Sequence, residues 1–296
     1  MTMPHAQAID LKPGEQAPPL VKIAHNTSTA SENKIHDDGE ARRLGLRGGL
    51  VPGVTLYAYL TEHVLPLLGP AWLERGTSSV RFVRPVYEGD QVTCTAARRG
   101  SGAERAGGIA LELSVIGPDG SVCVTGSASL EPTDAAAFTV IGLGSLTPTD
   151  RLDAGDRLLL TPDNAPIGVP LQPRTVTIDA EAVAAYANEA DDPNPWYRGG
   201  SPFGLPLVPP ALLASQPARW LREHFSYGPS VHTGSEIRHL GRALAGGTYR
   251  VGGKLVEVYS KRGNDYLVAD VQIEDHNGIA VMQIHHTVVF RFVARN

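Results

Sequence analysis

The chain has 296 residues, a formal net charge of −5, and hydrophobic and charged fractions of 42% and 19%. That length exceeds one typical domain and suits two modest ones, and the composition is that of an ordinary soluble globular protein. The charge leaves no basic footprint for nucleic acid or an anionic membrane, and no apolar run approaches the ~18 residues needed to span a bilayer.

Residues 1–19 are polar and proline-bearing, so they read as a surface tail and not as a signal peptide. Cys94 and Cys123 sit in strand-like runs and match no metal spacing; they read as buried free thiols of a reducing cytosol, which makes the expected compartment cytoplasmic. Residues 20–29 have strand-like composition and lead into a polar loop, Ser31-Glu-Asn33-Lys-Ile-His36-Asp-Asp. Asp37-x-x-Glu40 has capping-box spacing and predicts a short helix over 39–44, stopped at Gly45. Residues 50–68 are apolar on nearly all sides, which predicts a buried helix reached through Pro52 and Gly53 and ended at Gly69-Pro70. Strands are expected over 78–86, 91–97, 109–116 and 121–130, the last two joined by the turn Gly117-Pro-Asp-Gly120. One buried helix followed by an antiparallel meander is an α+β layer.

Residues 136–172 read as a linker and the opening strand of a second unit. Ile141-Gly-Leu-Gly144-Ser within them lacks the third glycine and the following helix of a dinucleotide loop. A strand over 174–178 and a helix over 179–190, capped by Asp179, come next. Then a second polar loop arrives, Asp191-Asp-Pro-Asn194-Pro-Trp-Tyr197, followed by Leu207-Val-Pro-Pro210, a helix over 209–224 and strands over 233–242, 247–261, 265–274 and 279–293. The order repeats the first half, and Ser79-Val-Arg81-Phe aligns with Ser235-Glu-Ile-Arg238. Two copies of one α+β unit, over 20–135 and 173–296, are therefore expected.

At these residues the chain resembles the MaoC-like, R-specific enoyl-CoA hydratase/dehydratase group of the hot-dog fold. That group's motif runs Asp-x-Asn-Pro-x-His-x-Asp, then Ala, then Gly, then His-Gly at the mouth of the central helix. The first half matches it at Asn33, His36, Asp38, Ala41, Gly45 and Gly53, and Phe82-x-x-Pro85-x-x-x-Gly89-Asp90 is similar to the group's strand-and-turn signature. The second half matches at Asp192, Asn194 and Pro195. The resemblance implies an α+β protein of two fused hot-dog units, each an antiparallel sheet wrapped round a central apolar helix. It also implies a lyase that adds or removes water at an α,β-unsaturated acyl-CoA or related conjugated carbonyl. Four positions depart from the pattern. Ser31 stands at the catalytic aspartate, Lys34 at the motif proline, Pro52 at the histidine before the central helix, and Tyr197 at the second-half histidine.

Such chemistry needs a base, a proton source for the α-carbon and donors for an enolate oxygen. Histidine suits the base and helix N-terminal amides suit the donors. His36 and the Gly53 amide supply these in the first half, with Ser31 beside them. In the second half Pro209 and Pro210 carry no N–H and Tyr197 is a poor base, so one working site is expected, in the first half, with the second half closing the pocket. Asn33, Val51, Arg81, Arg84 and Asp192 are the candidate substrate contacts, the arginines through CoA phosphates. No metal or redox cofactor is expected, and no nucleic acid or membrane partner. A homodimer is the expected further assembly. The alternatives are an isomerase, cyclase or other lyase acting on a specialised metabolite, a catalytically silent binding partner, and a thioesterase using Glu62 near His63.

Overall fold

The computed structural model describes residues 11–100, 108–130, 142–143, 146, 152–153 and 155–292. The first unit runs β1 (Leu20–Ile23), a 3-10 turn at Lys34–His36, α1 (Asp38–Arg43), α2 (Gly53–Leu68), α3 (Trp72–Arg75), β2 (Thr77–Phe82), β3 (Gln91–Arg98), β4 (Ala110–Ile116) and β5 (Val122–Ser129). After the short β6 (Leu158–Leu159), the second runs β7 (Pro170–Ile178), α4 (Ala180–Glu189), a 3-10 turn at Pro195–Arg198, α5 (Pro210–Ala214), α6 (Gln216–His224), β8 (Phe225–Ser226), β9 (Val231–His239), β10 (Gly247–Lys261), β11 (Asn264–Glu274) and β12 (Ala280–Arg291). Much of the expected tail, of the 98–108 loop, and of the linker with its Gly142-x-Gly144 segment lies outside the described residues.

Ten strands form one sheet in the order β1-β3-β4-β5-β2-β9-β12-β11-β10-β7, while β6 and β8 make a separate parallel pair. Read from its centre outward, the large sheet has the same strand sequence in each direction, as expected of a duplicated unit. The centre is the antiparallel pairing of β2 with β9, from Thr77 opposite Arg238 to Arg81 opposite Gly234. The two stretches that align in sequence are thus neighbours in space.

Each half-sheet covers a helix, apolar in the first unit and amphipathic in the second. Helix α2 lies against β3, β4, β5 and β9, α6 lies against β7 and β10, and α2 and α5 pack on each other. Buried residues on α2 include Leu56, Tyr57, Tyr59, Leu60, Val64 and Leu68, so it is buried on most sides, as its composition requires. Fully burying one leucine contributes about 1.5–3 kcal/mol, which makes this helix the main source of core stability in its unit. Cys94 and Cys123 are buried and free.

The strand expected over 78–86 ends at Phe82, β6 and β8 were not expected, and the helices differ from the sequence expectations at three places. Residues 50–52 are extended, because Pro52 (φ −58°, ψ 139°) precedes the helix and α2 begins at Gly53. The single helix expected over 209–224 breaks at Ser215, since Pro217 has no N–H to return to the preceding turn. Helix α3 was not expected; it is held by Trp72, which is wholly buried and donates from Nε1 to the Thr77 carbonyl at 3.1 Å. No helix among the described residues is long and apolar enough to cross a membrane.

Leu60 has no solvent exposure, so Leu60→Ala is expected to cost about 2–5 kcal/mol in a urea melt. Because one sheet runs through both units, far-UV dichroism and tryptophan fluorescence should report a single coincident transition. Two separated transitions would mean that the β2–β9 joint does not couple the units.

Candidate active site

The polar loop before α1 is stapled in place by backbone contacts. Ile35 is buried and its carbonyl accepts from the Leu50 amide at 3.1 Å, while Asn26 donates from Nδ2 to the His36 carbonyl at 2.9 Å. Gly49 allows this close approach, since a Cβ there would sit 2.2 Å from the His36 carbonyl oxygen. Asp37 caps α1 by accepting from the Glu40 amide, and Asp38 accepts from the Gly49 amide and pairs with Arg42. Both aspartates are thereby spent on shaping the loop.

His36 Nδ1 lies 2.7 Å from the Leu50 carbonyl oxygen. A carbonyl only accepts, so Nδ1 carries the proton and Nε2 keeps its lone pair. Burial lowers the His36 pKa below 6.5, the Leu50 contact opposes that, and the nearby Arg222 cation lowers it further. The ring is therefore neutral at pH 7 and presents an unprotonated nitrogen. Asn33 Nδ2 reaches that nitrogen only at 3.4 Å; its amide is engaged with the second unit, donating to the Ser230 carbonyl at 2.8 Å and accepting from the Ser230 amide at 2.9 Å.

His36 opens onto a cavity of about 1020 Å3 built from both units. Val51, Pro52, Gly53 and Phe82 line it from the first unit; Arg222, Ser230, His232 and His286 line it from the second. The Gly53 and Val54 amides begin α2 with no side-chain cap, so the positive end of a sixteen-residue helix faces this space. A Cβ on Gly53 would lie 3.0 Å from the Phe82 ring and 3.1 Å from His232 Nδ1, so only glycine leaves the helix N-terminus open.

Ser31 lines the cavity, but its hydroxyl donates to the Asn33 carbonyl at 3.1 Å. Val51 and Arg84 also line it, whereas Arg81 and Asp192 do not, which corrects the expectation that they stand at this site. Arg81 is exposed on β2, where alternation turns it away from the helix face. Asp192 is buried around the second loop, accepting from the Asn194 amide at 2.9 Å, and its pKa is raised by burial. Glu62 does not line the cavity either; it pairs with buried Lys22 at 2.8 Å, and burial pushes its pKa up to about 7. Tyr197 is wholly buried beside this group, and the helix after it starts with Pro209 and Pro210. The second motif thus carries packed side chains, and Pro210 leaves its helix without the first amide that Gly53 supplies in the first unit.

The cavity at His36 takes a wall from α6, β9 and β12, because the pairing of β2 with β9 lays the second unit's strands beside the mouth of α2. Sequence reasoning missed His232, Arg222 and Ser230 altogether. His286, on the strand expected over 279–293, is buried, while His285 is partly exposed and pairs with Asp270. Helical spacing puts Ser215, Arg219 and Arg222 on one face of the helix over 209–224, a signal that could have found the arginines.

No family model matches the chain, and no curated protein matches it. Solved structures do. A protein described as a MaoC domain dehydratase from Chloroflexus aurantiacus superposes with a TM-score of 0.65 at 15% identity, over 99% of this chain and 100% of its own. A MaoC-like dehydratase gives 0.64 at 14% identity over 95% and 99% of the two chains. A Mycobacterium tuberculosis protein described as having a double hotdog fold gives 0.64 at 13% identity over 97% and 98%. The chain therefore has the double hot-dog fold, which it shares with MaoC-like dehydratases. Identities this low establish the fold and leave the reaction to the site.

His36, His63, His224, His232, His239 and His286 all have pKa values lowered by burial, to about 4 for His232 and about 3 for His239. Each keeps its full contribution above the unfolded pKa of ~6.5 and loses it as pH falls toward the folded value. His285, raised by Asp270, works in the opposite direction. The melting temperature is expected to fall between pH 7 and pH 5, which calorimetry across that range will check; a flat profile would contradict the neutral burial of these rings.

Proposed function

We propose that this protein is a hydro-lyase of the hydratase/dehydratase type, acting on an α,β-unsaturated acyl thioester or a related conjugated carbonyl. The observation that carries the reading is the pairing of an unprotonated His36 Nε2 with the uncapped N-terminus of α2 in one cavity. In the hydration direction His36 takes a proton from water as the oxygen bonds to the β-carbon. The π electrons move toward the carbonyl, and the Gly53 amide and helix dipole stabilise the enolate oxygen. The imidazolium then returns that proton to the α-carbon, so one water is added and His36 ends neutral. Arg84 and Arg219, exposed cations among the lining residues, suit the phosphates of a CoA carrier.

Ser31 in place of a carboxylate favours one second reading. An isomerase or retro-aldol lyase on a conjugated carbonyl would use the same base and the same enolate donor without needing that acid.

Hydration of crotonyl-CoA and longer enoyl-CoA esters, followed by loss of the enoyl absorbance, tests the proposal. His36→Ala is expected to lower turnover by roughly 100- to 10,000-fold, the usual contribution of a general base. Activity should fall on the acid side with a midpoint below 6.5, because only neutral His36 accepts the proton. Gly53→Ala should lower kcat by about 100-fold, since its methyl intrudes where the enolate oxygen would bind. Turnover by His36→Ala at the wild-type rate would sink the assignment, and a wild type inert on every enoyl-CoA would leave the isomerase reading in its place.

A further inference from the structure

The cavity holds a second histidine site that no sequence motif marks. His232 on β9 has its imidazole in tilted contact with the Phe82 ring, centroids 4.7 Å apart, and with the His286 ring at 4.3 Å. Its Nε2 lies 3.1 Å from the Gly234 carbonyl oxygen and 2.8 Å from Ser235 Oγ. The carbonyl can only accept, so Nε2 carries the proton and Nδ1 is bare. That Nδ1 is buried, has no hydrogen-bond partner among the described residues, and lies 3.1 Å from where a Gly53 Cβ would be, directly beside the mouth of α2. An unpartnered buried acceptor costs ~1–3 kcal/mol, which points to a partner that arrives with the substrate.

A backbone irregularity aims the ring there. On β9 and β12, Ser235 stands opposite His286 and His232 opposite Val288, with the register slipping between Thr287 and Val288. Thr233 is left over, so His232 and Ser235, three residues apart, share the cavity face. Ser235 Oγ is also 3.2 Å from His286 Nδ1, which links His232, Ser235 and His286 in one buried chain. On the other side, the Asn33 amide ties the His36 loop to Ser230, two residues ahead of His232. The two histidines are thus fixed to one joint between the units.

Resting on the hydro-lyase reading above, we infer that His232 is a second catalytic residue, whose bare Nδ1 accepts a hydrogen bond from the reacting water opposite His36. The motif carboxylate that Ser31 replaces would have been an acceptor-only group, and a neutral imidazole with its proton on Nε2 offers the same property at Nδ1. In hydration, one water hydrogen is held by His232 Nδ1 while the other passes to His36 Nε2. The oxygen bonds to the β-carbon, the hydrogen on His232 remains as the product hydroxyl proton, and His36 delivers the transferred proton to the α-carbon. Both rings end neutral. Ser235 and His286 are positioning residues that keep the His232 proton on Nε2.

The test compares crotonyl-CoA hydration by wild type, His232→Asn, His232→Gln and the double variant His232→Asn with Ser31→Asp. Each single variant is expected to lose about 100-fold in kcat with KM changed by less than about threefold. Ser31→Asp is expected to restore at least tenfold in the His232→Asn background, by returning an acceptor to the water, a rescue that a purely structural role for His232 would not produce. Should the variants fail to fold, ring 15N shifts of histidine-labelled wild type decide: a bare Nδ1 on His232 that shifts on adding 3-hydroxybutyryl-CoA supports the inference, and a protonated or unresponsive Nδ1 overturns it. Wild-type turnover that His232→Asn and His232→Gln leave intact overturns it while the hydro-lyase reading stands. A wild type with no turnover on any enoyl-CoA removes both.

Discussion

The antiparallel pairing of β2 with β9 is the contact on which the rest of the structure depends. It turns two five-stranded half-sheets into one sheet and removes two edges that would otherwise expose unpaired backbone groups. It also decides what faces the N-terminus of α2. Because β9 is the neighbour of β2, His232 near its start stands beside Phe82 and Gly53. A single unit would offer only half of these walls.

The electrostatics of the cavity follow from burial and from where protons must sit. His36 gives its Nδ1 proton to the Leu50 carbonyl, and His232 gives its Nε2 proton to the Gly234 carbonyl or Ser235. Burial holds both rings neutral, and the Arg222 cation beside His36 reinforces this for His36. The space therefore combines unprotonated ring nitrogens with the positive end of α2. That is a polarity suited to accepting protons from a neutral molecule while stabilising negative charge on it.

The two loop motifs have diverged in opposite physical directions. In the first, Asn33 reaches out to the other unit and His36 faces open space. In the second, Asn194 turns inward to accept from the Trp196 amide, Tyr197 is wholly buried, and Lys22 with Glu62 places an ion pair nearby. Burying that pair, which comes from β1 and α2 of the first unit, is costly unless it is well packed and hydrogen-bonded.

The sequence by itself determined most of the elements and their order. Apolar residues on nearly all sides of 50–68 demanded a buried helix, Pro and Gly marked its ends, and alternation with turn signals marked the strands. These are local properties, fixed by backbone sterics and periodicity, and the duplication was legible because two polar loops preceded two similar runs. His36, Gly53 and Val51 were legible for the same reason, since each belongs to a continuous motif. Tertiary structure alone decided the rest. His232 reaches the cavity because β2 pairs with β9 and because a bulge at Thr233 turns the ring to that face; neither a strand partner nor a one-residue slip is written in local pattern. Arg81 and Asp192 belong to motif stretches yet stand elsewhere, because alternation and the packing of the second loop, not motif membership, set where a side chain ends.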